Sequence, residues 1–437
     1  MNSKSASSGN RPTPDRATAI IAFVALAARL FWVLAARPVP QLEGGDGAFY
    51  LTLGWRIATG VPVPATWSLA VGPVYPLYLA LCVWLSPGNA AQAARVGQAL
   101  LDTLTCLIVY DLARRTFDRR AGLIAAAWMA VDLRFIVQTG EVYTETVFTL
   151  LLVAGVWAFV AAKDSGGRRR IAGFAASGVM LVLTALTRAA AAPLVALFAL
   201  AALLPKPTRT QLAVAGLIGL VGFLAMGGWA LKTYHATGQI VLMSNGFGGN
   251  FWLGSRGDGQ WHGLDAFNRD LLDLHARYNG GTPYVEDALK TIAADPLAYA
   301  RLLFTKVAAA YLQPHGTVAF PGASLKELAL GVLRGQLSVG DLLGGEAFWP
   351  KLTIYVFHFA ALIGGAAGAW RARRNWLKIL PLVLPIVYFT AIYTLLTIIP
   401  RYIFPVMPFY IVLASSMHNA QFTMPNARSK SASDITH

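Results

Sequence analysis

Charge is what this 437-residue chain has least of: Asp, Glu, Lys and Arg make up 13% of it, against 56% hydrophobic residues. A soluble domain carries about 25% charged residues, so the chain has too little polar surface to clothe a water-facing globule. Cysteine is nearly absent. The two present, Cys82 and Cys106, sit inside apolar runs, which excludes a disulfide framework and a cysteine metal site. The histidines His235, His262, His275, His315 and His358 lack ligand spacing, so no zinc is expected. Gly246-Phe-Gly248-Gly249 lacks the strand–loop–helix setting of a dinucleotide fold. No tandem repeat is visible, and paired repeats are the usual mark of a secondary transporter. Acids are also scarce, 21 against 36 Lys and Arg, for a net charge of +15. The basic residues fall in short clusters between apolar runs. That pattern reports membrane orientation and argues against a nucleic-acid partner.

What is there in quantity is apolar sequence, in runs near the roughly 20 residues a helix needs to cross a bilayer. The expected fold is an all-α polytopic membrane protein. Its expected spans are Ala17–Ala36, Ala94–Ala113, Ala121–Gln138, Tyr143–Ala162, Ile171–Thr187, Ala189–Leu204, Gln211–Leu231, Leu352–Trp370, Trp376–Thr397 and Tyr402–His418, about ten in all. Residues 1–16, rich in Ser, Pro and Asn, read as a disordered cytoplasmic tail, and residues 419–437 as a second one. Between them lie a transmembrane catalytic module over 17–231, an outer region over 232–351 with candidate helices at Tyr284–Ala294 and Leu297–Tyr311, and C-terminal spans over 352–418. Ala17–Ala36 is long for a signal peptide and more spans follow, so it is read as a retained helix.

With the N-terminus inside, alternate loops carry the basic clusters: Arg114, Arg115, Arg119 and Arg120; Lys163 with Arg168–Arg170; Lys206 and Arg209; Arg371, Arg373, Arg374 and Lys378; then Arg428 and Lys430. Every loop then agrees with the positive-inside rule. Pro73–Leu85 is apolar but short, and counting it as a span would put Arg114–Arg120 outside. It is therefore laid in the outer interface within the first loop, 37–93, beside a second candidate interfacial helix, Ala48–Thr59. The expected location is a bacterial-type inner membrane, multi-pass, with both termini cytoplasmic and the active site outside.

Polar residues at a membrane edge are functional candidates. Asp46 follows the first span in Glu43-Gly-Gly-Asp46-Gly-Ala-Phe-Tyr50. Its carboxylate has two readings: a base for an attacking hydroxyl, or the N-cap of the next helix. Glu141 and Glu145, in Thr139-Gly-Glu141-Val-Tyr-Thr-Glu145, share one helical face on the same outer side. With Asp46 they put carboxylates from two separate loops on one side, which reads as a base with its orienting partner or as a metal site; the other reading is acids favoured at a helix N-terminus. Arg188 has apolar sequence on both sides, which requires an anionic partner, with lipid phosphate a natural one, or a snorkelling side chain. Arg401 and Lys232 add two outer cations against the positive-inside bias. Asp132 and Arg134 lie within the third span as a candidate internal ion pair.

Taken in order, these residues resemble the C-type integral membrane glycosyltransferases, and within them the protein O-mannosyltransferases and lipid A aminoarabinose transferases. The resemblance is carried by Asp46-Gly-Ala-Phe-Tyr50, Gly72-Pro-Val-Tyr-Pro76-Leu-Tyr, the basic turn Leu112-Ala-Arg-Arg-Thr-Phe-Asp-Arg-Arg-Ala, Glu145, Leu186-Thr-Arg188 and Arg401-Tyr402. It implies an inverting hexosyl- or pentosyltransferase that takes a sugar from a polyprenyl-phosphate donor on the outer leaflet to a glycan, lipid or protein acceptor. Asp46 would then be the base and Glu145 a second catalytic acid. Arg188, Lys232 and Arg401 would hold the phosphate, supported by Glu43, Tyr50, Arg56, Glu141 and Tyr402. No cofactor is required on this reading, and a divalent metal is not favoured. Three departures bear on the acceptor and donor: Gly47 follows Asp46, Lys232 stands where many relatives have Arg, and Gly72 stands where aminoarabinose transferases have Lys. The alternatives are a polysaccharide ligase or polymerase, and a transporter or lipid flippase.

Overall fold

A computed structural model describes residues 16–418 apart from 41, 43–45, 65–66, 68–69, 206, 239, 241–245, 260–263 and 280. Among the described residues there are helices and no strand. Six segments are long and apolar enough to cross a membrane: 16–36, 90–116, 145–163, 167–187, 209–237 and 348–395. They comprise helices α1 (Arg16–Phe31, continued by a π-helical Trp32–Ala36), α4 (Ala90–Thr116), α7 (Glu145–Lys163), α8 (Gly167–Thr187), α10 (Arg209–Thr237), α17 (Phe348–Ala372) and α18 (Trp376–Leu395). The first loop contributes α2 (Asp46–Thr59) and α3 (Val74–Leu85). One face of α3, with Tyr75, Leu79 and Cys82, is buried, while Leu77, Leu81 and Trp84 are exposed, the division expected of an element lying between protein and lipid.

Three expected spans are broken or short. The third is cut into α5 (Arg119–Val131) and α6 (Leu133–Gln138) at Asp132. The Asp132 carboxylate accepts from the backbone N–H of Arg134 at 3.0 Å and so starts a new helix. The sixth becomes a 3₁₀ turn, Ala189–Ala191, followed by α9 (Ala192–Ala201). The last is split into α19 (Pro400–Ile403), a 3₁₀ turn over Phe404–Val406 and α20 (Met407–Ser415). Pro405 and Pro408 each remove a backbone donor there and prevent one continuous ladder.

Two buried ion pairs brace these helix ends. All five N–H donors of Arg29 are used: Asp102 Oδ2 at 2.6 Å, the carbonyls of Ala25, Ala130 and Met129, and Cys106 Sγ. Two of those carbonyls belong to the last turn of α5, whose terminal C=O groups have no helical partner. Arg134 pairs with Asp132 at 2.6 Å and donates from Nη1 to His358 Nδ1 at 3.0 Å. An arginine only donates, so the His358 proton is on Nε2, which donates to the Tyr311 carbonyl at 2.7 Å. The expected internal pair is therefore present, and it ties α6 to α17.

Small residues set the closest helix contact. A Cβ on Gly368 of α17 would lie 2.0 Å from the Leu413 carbonyl oxygen of α20, the close approach that glycine permits between membrane helices. The segment between α10 and α17 holds α11 (Phe247–Gly254), α12 (Leu264–Arg277), α13 (Tyr284–Ala294), α14 (Pro296–Leu312), α15 (Leu325–Leu333) and α16 (Val339–Leu343). Asp287 fastens α11 to α13 by accepting from Trp252 Nε1 at 2.8 Å and from Arg256 and Arg277. The far end of α14 re-enters the bundle: Tyr311 bonds Thr390 at 2.6 Å, and Ala310 is in the core.

Replacing Asp102 by Ala leaves the Arg29 guanidinium buried without its carboxylate. Removing one partner of such a pair costs about 3–5 kcal/mol. Thermal unfolding in detergent should therefore shift clearly downward for Asp102→Ala and less for Asp102→Asn; an unchanged transition would count against Arg29–Asp102 as a brace.

Candidate active site

The bundle brings four charged side chains together at one end, from four separate elements. Asp46 opens α2, Glu145 opens α7, Arg188 caps the C-terminal end of α8 and Arg401 lies in the single turn of α19. Local chemistry favours three of these placements. An acid is stabilised at a helix N-terminus and a cation at a C-terminus, which suits Asp46, Glu145 and Arg188. Arg401 follows Pro400, whose missing N–H costs nothing at the first helical position.

Glu145 is wholly buried. Its Oε1 accepts from Arg188 Nη2 at 2.6 Å and lies 3.7 Å from Arg401 Nε. Arg401 Nη2 in turn reaches Asp46 Oδ2 at 2.6 Å. The cluster is thus a chain: Arg188, Glu145, Arg401, Asp46. Among the described residues, three buried atoms in it have no hydrogen-bond partner: Glu145 Oε2, Arg188 Nη1 and Arg401 Nε. The two ends differ in exposure. Glu145 is 1% exposed at the side chain and Asp46 is 52% exposed, so Asp46 is the acid that can meet a reactant.

Aromatic rings flank the two cations. Arg188 lies over Tyr402 at 5.1 Å and over Phe148 at 5.7 Å, and Arg401 lies over Tyr143 at 4.9 Å. Tyr393 stacks on Tyr402 at 4.8 Å. Tyr50 packs edge-on to Tyr75 at 5.2 Å. Burial raises the Tyr50 hydroxyl pKa, and nearby Asp46 and Glu145 raise it further against Arg188 and Arg401, so it stays protonated. The turn carrying Glu141 is held by Gln98 of α4, which donates to the carbonyls of Thr139 at 3.0 Å and Glu141 at 2.7 Å.

Two cavities meet at this chain. The first, about 740 Å³, is lined by Asp46, Tyr50, Arg188, Tyr393, Arg401 and Tyr402, and extends along Pro193, Tyr388 and Ile392 between α9 and α18. The second, about 580 Å³, is lined by Trp32, Arg95, Gln138, Glu141, Tyr143 and His315 among others. Arg401 lines both.

Of the residues singled out in the sequence, Asp46, Glu145, Arg188, Arg401, Tyr50 and Tyr402 are therefore brought together, and Glu141 lies in the adjoining cavity. Lys232 is not brought there. It is exposed and rests over the Trp229 ring at 4.4 Å, because α10 continues to Thr237 with little of its surface buried. Arg56 is also elsewhere, donating to the Pro62 carbonyl at 2.6 Å and lying over Trp67. Glu43 lies outside the described residues. Among the described residues, no group of three His, Cys, Asp or Glu side chains is placed to hold a metal ion.

Sequence reasoning missed Gln138, His315, Tyr143 and Tyr393. Tyr143 lies within the quoted acidic turn, and Gln138 is an amide ending an apolar run; both were readable signals. His315 had none, since its partner Gln138 is 177 residues away. His315 Nε2 and Gln138 Oε1 are 2.5 Å apart. Burial lowers the His315 pKa to about 4, with Arg401, Arg134 and Arg188 adding to the effect and Glu145 opposing it. An unfolded histidine titrates near 6.5. The unfolded chain therefore takes up the extra proton first, and stability from the neutral ring is complete above about pH 6.5 and lost as pH falls towards 4. Unfolding temperature should decline across that window, and less so in His315→Gln. Equal declines in both proteins would remove His315 as the source.

Residues 70–229 match the family described as dolichyl-phosphate-mannose-protein mannosyltransferase. The match takes in Glu145 and Arg188 and leaves Asp46 and Arg401 outside it. No curated protein sequence matches the chain significantly. Among solved structures, the oligosaccharyltransferase AglB of Archaeoglobus fulgidus, in complex with an inhibitory peptide and a dolichol-phosphate, aligns over 91% of this chain and 50% of its own, with 17% identity and a TM-score of 0.52. Its apo form aligns over 91% and 49%, with 19% identity and a TM-score of 0.53. ArnT of Cupriavidus metallidurans, in the apo state, aligns over 92% and 77%, with 13% identity and a TM-score of 0.43. The chain spans about half the length of the archaeal protein. The expected resemblance stands: across residues 70–229 the chain is similar to the dolichyl-phosphate-mannose-protein mannosyltransferases, and it shares the fold of the archaeal oligosaccharyltransferase.

Proposed function

We propose that this chain is an inverting glycosyltransferase, moving a sugar from a polyprenyl-phosphate donor to an acceptor on the outer face of the membrane. The observation that carries the reading is the chain of Arg188, Glu145, Arg401 and Asp46 at the wall shared by two cavities. A reaction that releases a lipid phosphate needs cations where the leaving charge develops, and a base beside the attacking group. Arg188 Nη1 and Arg401 Nε have donors with no partner among the described residues, and both residues line the larger cavity. That cavity runs on between α9 and α18 past Pro193, Tyr388 and Ile392, an apolar channel suited to the first isoprene units. The archaeal relative of the same fold is described in complex with a dolichol-phosphate.

In this scheme the phosphate sits against Arg188 and Arg401 and competes with Asp46 for Arg401. Donor binding thereby frees the Asp46 carboxylate from its ion pair and makes it a better base. Asp46 takes the proton of an acceptor hydroxyl, and the oxygen attacks the anomeric carbon from the face opposite the phosphate. The carbon–oxygen bond to phosphate breaks with its electrons on the leaving oxygen, where the two guanidiniums stabilise the charge. Glu145 keeps both arginines in place and does not itself reach the reactants.

The topology follows the same logic, with about ten crossings and both termini inside. Helix α7 has 19 residues and runs from Glu145 to Lys163, about 28 Å at 1.5 Å per residue. Helix α8 returns from Arg168–Arg170 to the end capped by Arg188. The basic clusters and the acid–arginine chain thus occupy opposite ends of the same helices. The positive-inside rule puts the clusters in the cytoplasm and the site outside, in a bacterial-type inner membrane.

Asp46→Asn keeps the side-chain volume and removes the base. Release of polyprenyl phosphate from a panel of polyprenyl-phosphate sugars with crude envelope acceptors should fall by at least about 100-fold, with unfolding temperature little changed. An active Asp46→Asn protein would take the base role away from this residue. Arg188→Ala should raise the KM for donor more than that for acceptor; equal effects on both would count against a phosphate ligand.

A further inference from the structure

The second cavity takes part in the scheme above only through Arg401, yet its wall is built for a ligand. Gln138, the last residue of α6, is 1% exposed and lines it. One end of the amide is paired with His315, and the other, Nε2, has no partner among the described residues. Turning the amide over would exchange the two ends and still leave one of them open to the cavity. A buried amide left unsatisfied costs about 1–3 kcal/mol, which a bound hydroxyl would recover.

The rest of the lining sorts into groups that are engaged and groups that are open. Arg95 is engaged: it donates to the carbonyls of Gly140 at 2.9 Å, Pro38 at 3.2 Å and Arg37, and to Gln92 Oε1 at 2.6 Å, so it shapes the wall. Glu141 and Tyr143 follow Gln138 along the turn, and Trp32 supplies an aromatic surface. Amide, carboxyl and phenol beside an aromatic ring match a hydroxyl-rich ring, whose polar edge needs donors and acceptors and whose C–H face needs an apolar platform.

We propose that this cavity binds a saccharide acceptor, with Gln138 as its specificity-determining residue. The proposal rests on the glycosyl-transfer reading for the identity of the ligand as acceptor, while its test needs no transfer. Protein in nanodiscs, without donor, is irradiated with diazirine-tagged trisaccharides (manno-, gluco- and arabino-) and with a diazirine-tagged Ser/Thr hexapeptide, and the label is mapped by mass spectrometry. At least one trisaccharide should label residues 137–143 or 313–321, and the yield should fall about tenfold in Gln138→Ala and also fall in Glu141→Gln. Unfolding temperature, read in parallel, separates lost binding from lost folding. Labelling of this wall by the peptide alone, by none of the probes, or by saccharide with equal yield in both variants overturns the proposal. Saccharide labelling without polyprenyl-phosphate release from any donor would leave the site standing and overturn the transferase reading instead.

Discussion

The charged end of this bundle depends on one carboxylate that water does not reach. Glu145 is buried at the start of α7, where the helix N-terminus and two guanidiniums surround it. An isolated buried carboxylate is too expensive to keep, so Glu145 in turn requires Arg188 and Arg401 beside it. Neither arginine has all its donors used by the described residues. Arg188 keeps an unpartnered donor, and Arg401 is shared between Glu145 and the half-exposed Asp46. Mutual need in a low-dielectric setting fixes the geometry, and the leftover hydrogen-bonding capacity is what a substrate can use.

The fold serves this arrangement by fixing helix ends, since each charged residue sits at one. Arg29–Asp102 and Arg134–Asp132–His358 lock the break between α5 and α6 to α1, α4 and α17. That break sets where α6 ends, and so where the turn holding Glu141, Tyr143 and Glu145 begins. Gln98 fastens the same turn to α4. At Gly72 a Cβ would meet the Leu186 carbonyl oxygen at 2.0 Å, so the first loop lies directly on the end of α8 that carries Arg188. The absent side chain lets loop and helix end form one wall of the larger cavity.

Much of the fold was legible in hydrophobic length alone. The expected Tyr284–Ala294 helix has those bounds in the structure, and Leu297–Tyr311 lies within Pro296–Leu312. Hydropathy averages over a window, however, and is blind to the single residues that interrupt a ladder. Asp132 stands out in the sequence as a charge and acts in the structure as a helix cap, and Pro405 and Pro408 divide the apolar run Tyr402–His418. For the site, exposure of charge at a membrane edge pointed to Asp46, Glu145, Arg188 and Arg401, because burying such groups has to have a reason. The same rule also picked Lys232, since a count of cations along the chain does not say which face of a helix they occupy. The pairing of Gln138 with His315 depends on α14 re-entering the bundle, and nothing local in either segment encodes that.

The central claim is that the two arginines held by Glu145 receive the phosphate of a polyprenyl lipid and release Asp46. It is tested most directly by a cryo-EM map of the protein in nanodiscs with a polyprenyl phosphate bound. The account predicts phosphate density in contact with both Arg188 and Arg401, the isoprene chain between α9 and α18, and the Asp46–Arg401 contact opened. Phosphate bound away from both arginines, beside Lys232 for example, with Asp46 still paired to Arg401, would contradict it.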